Sequence, residues 1–146
     1  MRLSGVIRIE QPNHRVIRML TRLAIENPGT RTRYKMSAGI VHRRDLIATG
    51  VNSYKSHPLM AGPGYNSEQI FMHAEVDAVR NALRLIPQSD LAQCAIYVLR
   101  VKRSRDLSGW QYGMAKPCRG CARVIASFGI ERLWWSRDQE PIPSVA

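Results

Sequence analysis

Apolar residues recur at helical spacing from Asn13 to Asn27, where Val16, Ile17, Leu20, Leu23 and Ala24 form one stripe and Arg15, Arg18 and Arg22 lie off it. That period predicts an amphipathic helix. Asn13 can cap its start, and Asn27-Pro28-Gly29 stops it. The arginines suit a solvated face better than a binding surface. The period then shortens to that of strands. Met36 to His42 and Leu46 to Asn52 predict a hairpin about Arg43-Arg44-Asp45, with Asp45 as its best turn former. The second of these strands, Leu46-Ile47-Ala48-Thr49-Gly50-Val51, is nearly all apolar or small, which predicts a place inside a covered sheet.

Ser53 to Ser67 turns to Ser, Pro, Gly and Tyr, the composition of a loop, and loops of this length in a compact domain are often functional. His73 to Ile86 predicts a second helix, with Ala74, Ala78, Ala82 and Leu85 on one stripe and Pro87 ending it. Ala95 to Val101 is the clearest strand, rich in β-branched and apolar residues. A second loop, Arg103 to Lys116, combines basic and aromatic residues, the pairing that grips phosphate and stacks on bases; a solvated turn with an aromatic plug over the core is the plainer reading. Pro117 suits the first position of a third helix, Cys118 to Phe128, which buries Val124, Ile125 and Phe128 and ends at Gly129. Ile130 to Trp135 is a last strand. The final strand-helix-strand unit requires a parallel crossover. The whole predicts an α/β domain, a mixed sheet of four to five strands with helices on both faces.

Composition bounds the class. At 146 residues the chain has room for a single domain, 1–146, and with 45% hydrophobic and 23% charged residues it is neither disordered nor membrane-spanning. No apolar run approaches the roughly 20 residues that a bilayer span needs, and Met1 to Glu10 is not a signal peptide, so the expected location is the cytoplasm. Lys and Arg total 22 against 11 acids, a net charge of +11, which calls for an anionic partner without choosing between a mononucleotide and a nucleic acid. Three cysteines, two of them in a C-x-x-C, favour a metal or redox motif over a disulfide framework.

The candidate chemistry sits in His73-Ala74-Glu75 and Pro117-Cys118-Arg119-Gly120-Cys121. One imidazole and two thiolates form a ligand set that suits zinc, and three protein ligands leave a tetrahedral site with one open position, the mark of a catalytic centre. Residues two apart in mid-helix point to nearly opposite sides, so His73 and Glu75 serve one site only from the first turn of a helix. Glu75 is then close enough to exchange a proton there. The C-x-x-C alone also admits a thioredoxin-like pair, but a redox pair needs neither a histidine nor a carboxylate at another helix start. Cys94 opens a strand and suits a buried core position. As a fourth ligand it would close the site and make it structural, the non-enzymatic alternative.

H-x-E followed by P-C-x-x-C resembles the signature of zinc nucleobase deaminases. From about Met36 to Trp135 the chain resembles the cytidine deaminase superfamily, and within it the deoxycytidylate and tRNA-adenosine deaminase branch. The resemblance is carried by Ala48-Thr49-Gly50-Val51-Asn52, His73-Ala74-Glu75-Val76-Asp77-Ala78, Ile96-Tyr97-Val98, Pro117-Cys118-Arg119-Gly120-Cys121-Ala122 and Gly129-Ile130. It implies a three-layer fold and Zn²⁺ held by His73, Cys118 and Cys121. It also implies Glu75 as proton shuttle, substrate contacts from Asn52 and Ala74, and assembly into homo-oligomers. The expected reaction is hydrolytic deamination of a cytosine nucleotide or nucleoside, dCMP foremost, with Arg103 and Arg105 on the phosphate. The alternative is a deaminase acting on cytosine or adenine in single-stranded nucleic acid or tRNA, with Trp110 or Tyr112 stacking on a neighbouring base. Val51-Asn52-Ser53 stands where relatives of the deoxycytidylate branch commonly carry Tyr-Asn-Gly, Ile70-Phe71-Met72 precedes the H-A-E, and Arg103 to Lys116 is a long connection for either branch.

Overall fold

The computed structural model describes residues 8–27, 34–53, 73–103 and 109–138. In chain order they form β1 (Arg8–Ile9), α1 (His14–Ile25), β2 (Tyr34–His42), β3 (Asp45–Val51), α2 (Ala74–Ala82), a 3-10 turn at Gln88–Gln93, β4 (Cys94–Arg103), β5 (Trp110–Gly113), α3 (Arg119–Ser127) and β6 (Arg132–Trp135). Most of the Ser53 to Ser67 loop, Pro28, Gly29 and Arg105 fall outside the described residues.

The sheet is built on β4. One of its edges pairs antiparallel with β2 along the whole length, from Tyr34 opposite Lys102 to His42 opposite Cys94. The other edge is shared: Ala95 to Val98 pairs parallel with β6, and Arg100 to Arg103 pairs antiparallel with β5. Ser136 closes the joint between these two short strands. Its N–H donates to the Val98 carbonyl (3.0 Å), its carbonyl accepts from Ala115 N–H (3.0 Å), and its Oγ accepts from Arg100 N–H (3.0 Å) and donates to the Gly113 carbonyl (2.7 Å). The strand order is β1-β6-β4-β2-β3, with β5 beside β4.

Alternation along β4 divides the core in two. Ala95, Tyr97, Leu99 and Val101 pack with Val16, Leu20 and Ala24 of α1. Cys94, Ile96 and Val98 pack with Ala78, Val79 and Ala82 of α2 and Ile125 of α3. Helices therefore cover both faces, as a three-layer fold requires. The stripe on α1 is buried as its period predicts, and Arg15, Arg18 and Arg22 are exposed. Asn13 caps α1 through Oδ1, which accepts from Val16 N–H.

Several expectations are corrected. The sheet has six strands, because Arg8–Ile9 and Trp110–Gly113 are too short to show a period yet pair with β6 and β4. Among the described residues β3 is an edge strand; its apolar character reflects the helix lying on its face, where Ala48 and Gly50 are buried. The hairpin turns on Arg43 (φ 51°) and Arg44 (φ 72°), and Asp45 already belongs to β3. Left-handed backbone costs an L-residue roughly 1–2 kcal/mol. Here the Arg44 carbonyl is held by Asn13 Nδ2 (3.3 Å) and Arg15 (3.4 Å). α2 ends at Ala82, so Leu85 leaves the predicted stripe and stands 66% exposed. Pro117 precedes the cap of α3 instead of opening its first turn. No helix of the described residues is long and apolar enough to cross a membrane.

Candidate metal centre

α2 is fastened to β3 by three contacts that fix where its first turn lies. Gly50 faces the helix backbone directly: a Cβ there would fall 2.3 Å from Ala78 N and 2.5 Å from Ala74 O. Asp77 Oδ2 accepts from Val51 N–H (3.0 Å), and Asn81 Nδ2 donates to the Thr49 carbonyl (2.8 Å). Asp77 is held in turn by Arg80 (2.8 Å). The helix thus runs antiparallel to β3, with its start over the strand's C-terminal end. Gly50 and Asp77 were visible in the sequence as a glycine inside an apolar strand, a sign of close backbone approach, and as a carboxylate on a helix of small residues. Their positioning role appears only in the structure.

His73 is the N-cap residue of α2 and makes no side-chain capping bond, so its ring is turned to other use. Cys118 is the N-cap of α3, and its Sγ accepts from Cys121 N–H (3.4 Å). The two helix starts face each other. His73 Nδ1 lies 3.1 Å from Cys121 Sγ and 3.5 Å from Cys118 Sγ, and the three ligand atoms all fall within 4.8 Å of one another. Tetrahedral zinc with Zn–S and Zn–N bonds of ordinary length separates its ligand atoms by about 3.5 Å. The donor set and its spacing fit that ion.

Glu75, in the first turn of α2, is 3% exposed, and among the described residues its Oε1 has no hydrogen-bond partner. Burial pushes its carboxyl up from the ordinary value, against the lowering influence of its own backbone N–H and of His73. Cys118 is held down at about 4, chiefly by a hydrogen bond from the Cys121 thiol, with His73 adding to the effect; Cys121 is pushed up by that same bond and by burial. Two thiols and an imidazole gathered at helix starts are donors that give up their protons to a soft cation. A buried carboxyl with an unmet oxygen next to a soft ligand triad is an arrangement suited to moving a proton.

The remaining candidates divide. Asn52, half-buried, lies at the open end of α2: its Oδ1 accepts from Met36 N–H (2.9 Å) and Asn27 Nδ2 (2.8 Å). Ala74 is fully buried in the first turn. Arg103, Trp110 and Tyr112 are not brought to the triad. The Arg103 guanidinium lies 4.8 Å from the centre of the Trp110 ring, and Tyr112 OH meets Thr21 Oγ1 of α1 (2.9 Å). Trp110 and Tyr112 pack in the α1 layer, across the sheet from the helix starts. Cys94 lies at the far end of β4, buried, with Sγ toward the Asp90 carbonyl, outside the ligand group.

The family model of the cytidine and deoxycytidylate deaminase zinc-binding region matches residues 10–136. The chain belongs to that deaminase family. In fold it is similar to the dCMP deaminase of cyanophage S-TIM5 in its apo form, at 14% identity and a TM-score of 0.53 over 86% of each chain. The same deaminase in complex with dCMP and dUMP gives 14% identity and a TM-score of 0.53, over 87% of this chain and 85% of that one. Cytidine deaminase from Mycobacterium tuberculosis is 15% identical, with a TM-score of 0.47, over 89% of this chain and 91% of that one. No curated protein sequence matches the chain.

Proposed function

We infer that this member of the deaminase family hydrolyses the amino group of a cytosine nucleotide, dCMP foremost, to give the uracil nucleotide and ammonia. The observation that carries this reading is the buried Glu75, with its unmet Oε1, beside His73, Cys118 and Cys121 at two facing helix starts. His73, Cys118 and Cys121 would hold zinc, which when bound would lower the pKa of a water to about 7 and so make a nucleophile available at neutral pH. Glu75 accepts the first proton of the attacking water and gives it to the ring nitrogen; it then takes the proton of the hydroxyl newly added at the ring carbon and passes it to the amine, which leaves as ammonia as the carbonyl forms. Its raised affinity for a proton suits both halves of that duty. Ala74 N–H, a first-turn amide without an intrahelical acceptor, donates to the base carbonyl. Asn52, anchored through Oδ1, offers Nδ2 to the nucleoside.

Editing of nucleic acid has less support, since Trp110 and Tyr112, the stacking platform it would use, pack on the α1 face. A closed structural zinc site would need Cys94, which stands outside the ligand group. The test is a panel of dCMP, dCTP, cytidine and deoxycytidine, followed by ammonia release from zinc-loaded protein, with oligonucleotide binding measured over a salt series. Turnover of a cytosine mononucleotide with weak oligonucleotide binding is expected. Turnover of none of the four would overturn the reading.

A further inference from the structure

β3 ends in a way that its pairing with β2 does not require. Where Met36 and Asn52 stand opposite each other, an ordinary antiparallel pair would exchange both N–H groups for both carbonyls. Here Asn52 N–H does donate to the Met36 carbonyl (3.4 Å). Met36 N–H, however, goes to the side-chain Oδ1 of Asn52 (2.9 Å), so a side-chain amide takes a place in the ladder that belongs to the backbone.

The Asn52 carbonyl released by this exchange finds another donor. Asn27, 1% exposed and just past the end of α1, donates from Nδ2 to that carbonyl (3.0 Å) and to Oδ1 (2.8 Å). One amide thus holds residue 52 at two points. The same bonds fix which way each amide faces. A backbone N–H can only donate, so the Asn52 atom that Met36 meets is the oxygen, and the Asn27 atom that meets two oxygens is the nitrogen. With two donors on Oδ1, Nδ2 is the half of the Asn52 amide left for a ligand.

α1 is fastened without this contact. Val16, Leu20 and Ala24 pack it on the sheet, and its last turn is closed by Glu26 N–H on the Arg22 carbonyl (3.0 Å) and Asn27 N–H on the Ala24 carbonyl (3.2 Å). Burying a side-chain amide is costly unless its bonds are made. What the Asn27 amide adds is the orientation of a residue 25 positions further along the chain.

We propose that Asn27 is a positioning residue for the reaction: by gripping the carbonyl and Oδ1 of Asn52 together, it aims Asn52 Nδ2 at a sugar hydroxyl and sets the preference for a substrate that carries one. This rests on the deaminase reading above. A donor held in one direction discriminates against a substrate without the acceptor, because the donor is then left unpaired.

The test compares kcat/KM for dCMP with that for its analogue lacking the 3′-hydroxyl, on zinc-loaded protein, with zinc content and melting temperature measured alongside. The parent protein should favour dCMP. Asn27→Asp keeps the shape and sets an oxygen against two acceptors, so the preference should fall about tenfold while zinc is kept, the loss expected for one hydrogen bond. Asn27→Ala removes the donor without adding a charge and should lower the preference too. In an Asn52→Ala background the preference should already be gone, and Asn27→Asp should change it by no more than about twofold, since residues acting as a unit are not additive. A merely structural Asn27 would lower stability in both backgrounds and leave the preference in each alone. Nitrogen-resolved NMR of the parent protein needs no variant: the Asn27 side-chain amide should exchange slowly with solvent, and that of Asn52 should shift when dUMP binds. An Asn27 amide that exchanges as fast as exposed ones, a parent protein that converts both compounds alike, or a preference unmoved in a folded Asn27 variant overturns the role of Asn27 and leaves the deaminase reading standing. A parent protein that converts neither compound and shows no Asn52 shift with dUMP overturns both.

Discussion

On the α1 face of the sheet the polar groups close on one another, whereas at the facing starts of α2 and α3 a group of them gathers around a common point. Thr21 meets Tyr112 (2.9 Å), Ser37 Oγ donates to the Leu20 carbonyl (2.6 Å), Tyr97 OH donates to the Gln11 carbonyl (2.5 Å), and Arg103 covers Trp110. Across the sheet His73, Cys118 and Cys121 point at one another, and among the described residues Glu75 Oε1 has no hydrogen-bond partner. Both faces hang on the same strand, so the contrast is not one of rigidity. A buried polar group without a partner costs stability, and it persists where something outside the chain completes it. The α1 face stabilises the fold, and the other face carries the candidate metal centre.

The sharpest way to break this contrast is Glu75→Gln. The amide keeps the shape and removes the proton shuttle, so kcat on dCMP should fall by about 10² to 10⁴ while zinc content is kept. The melting temperature should hold or rise, because burial disfavours the carboxylate that is removed. Full activity would place proton transfer elsewhere. Next in size is the pair Cys118→Ala and Cys94→Ala, compared by metal analysis. The first should lose zinc; the second should keep it and lose only about 1 kcal/mol of packing, as ordinary core substitutions do. Zinc loss from Cys94→Ala would revive the closed site.

Gly50→Ala tests whether the site depends on how α2 is seated. The new Cβ would fall 2.3 Å from a backbone nitrogen of α2, which cannot move alone. Overpacking of this kind costs about 3 kcal/mol at its upper end. Stability in urea and kcat should fall together, since the displaced helix carries both His73 and Glu75. Gly109→Ala, where a Cβ meets nothing within 4 Å, is the control.

How much of this was legible in the sequence followed from which residues declare their surroundings. Residue type and spacing did: the sequence offers His73, Cys118, Cys121 and Glu75 together, and the structure brings the first three within 4.8 Å of one another at two helix starts, with Glu75 in the first turn of α2. Long periodic elements did as well, and α1 and β4 lie within a few residues of their predicted bounds. Face was harder to read. Trp110 and Tyr112 carry the composition of a nucleic-acid platform, but they alternate with Gln111 and Gly113 as a strand. Their pairing with β4 turns them toward α1. That strand is only four residues long, so its period was hidden in what looked like a loop. The hairpin turn was misplaced for a related reason, because two arginines occupy positions that local preference gives to Gly or Asn. Contacts from Asn13 and Arg15, distant in sequence, hold them there.

Trp110→Ala sharpens the same point from the quiet face. Loss of a half-buried ring packed in the α1 layer should lower stability by about 2 kcal/mol. The kcat/KM for dCMP should stay at the parent value. A fall in kcat/KM without loss of stability would return Trp110 to the substrate.

The smallest effect belongs to Tyr97, whose phenol lies in the α1 layer and is raised from an ordinary 10.0 to about 12, first by burial and then by the charge of Glu10. The phenol is neutral when protonated, and the folded state holds that proton more tightly than the unfolded chain does. Its contribution to stability is complete below about pH 10 and is lost as pH rises toward 12. Urea midpoints should therefore fall over that window in the parent protein. Tyr97→Phe should begin lower at neutral pH by about 1 kcal/mol, for the lost bond to the Gln11 carbonyl. It should then fall less steeply, so the two curves approach each other at high pH. Other tyrosines and lysines titrate in both proteins, and the difference between the curves isolates this one group. Parallel curves would mean that the phenol titrates alike in the folded and unfolded states, and the α1 face would then hold Tyr97 by packing alone.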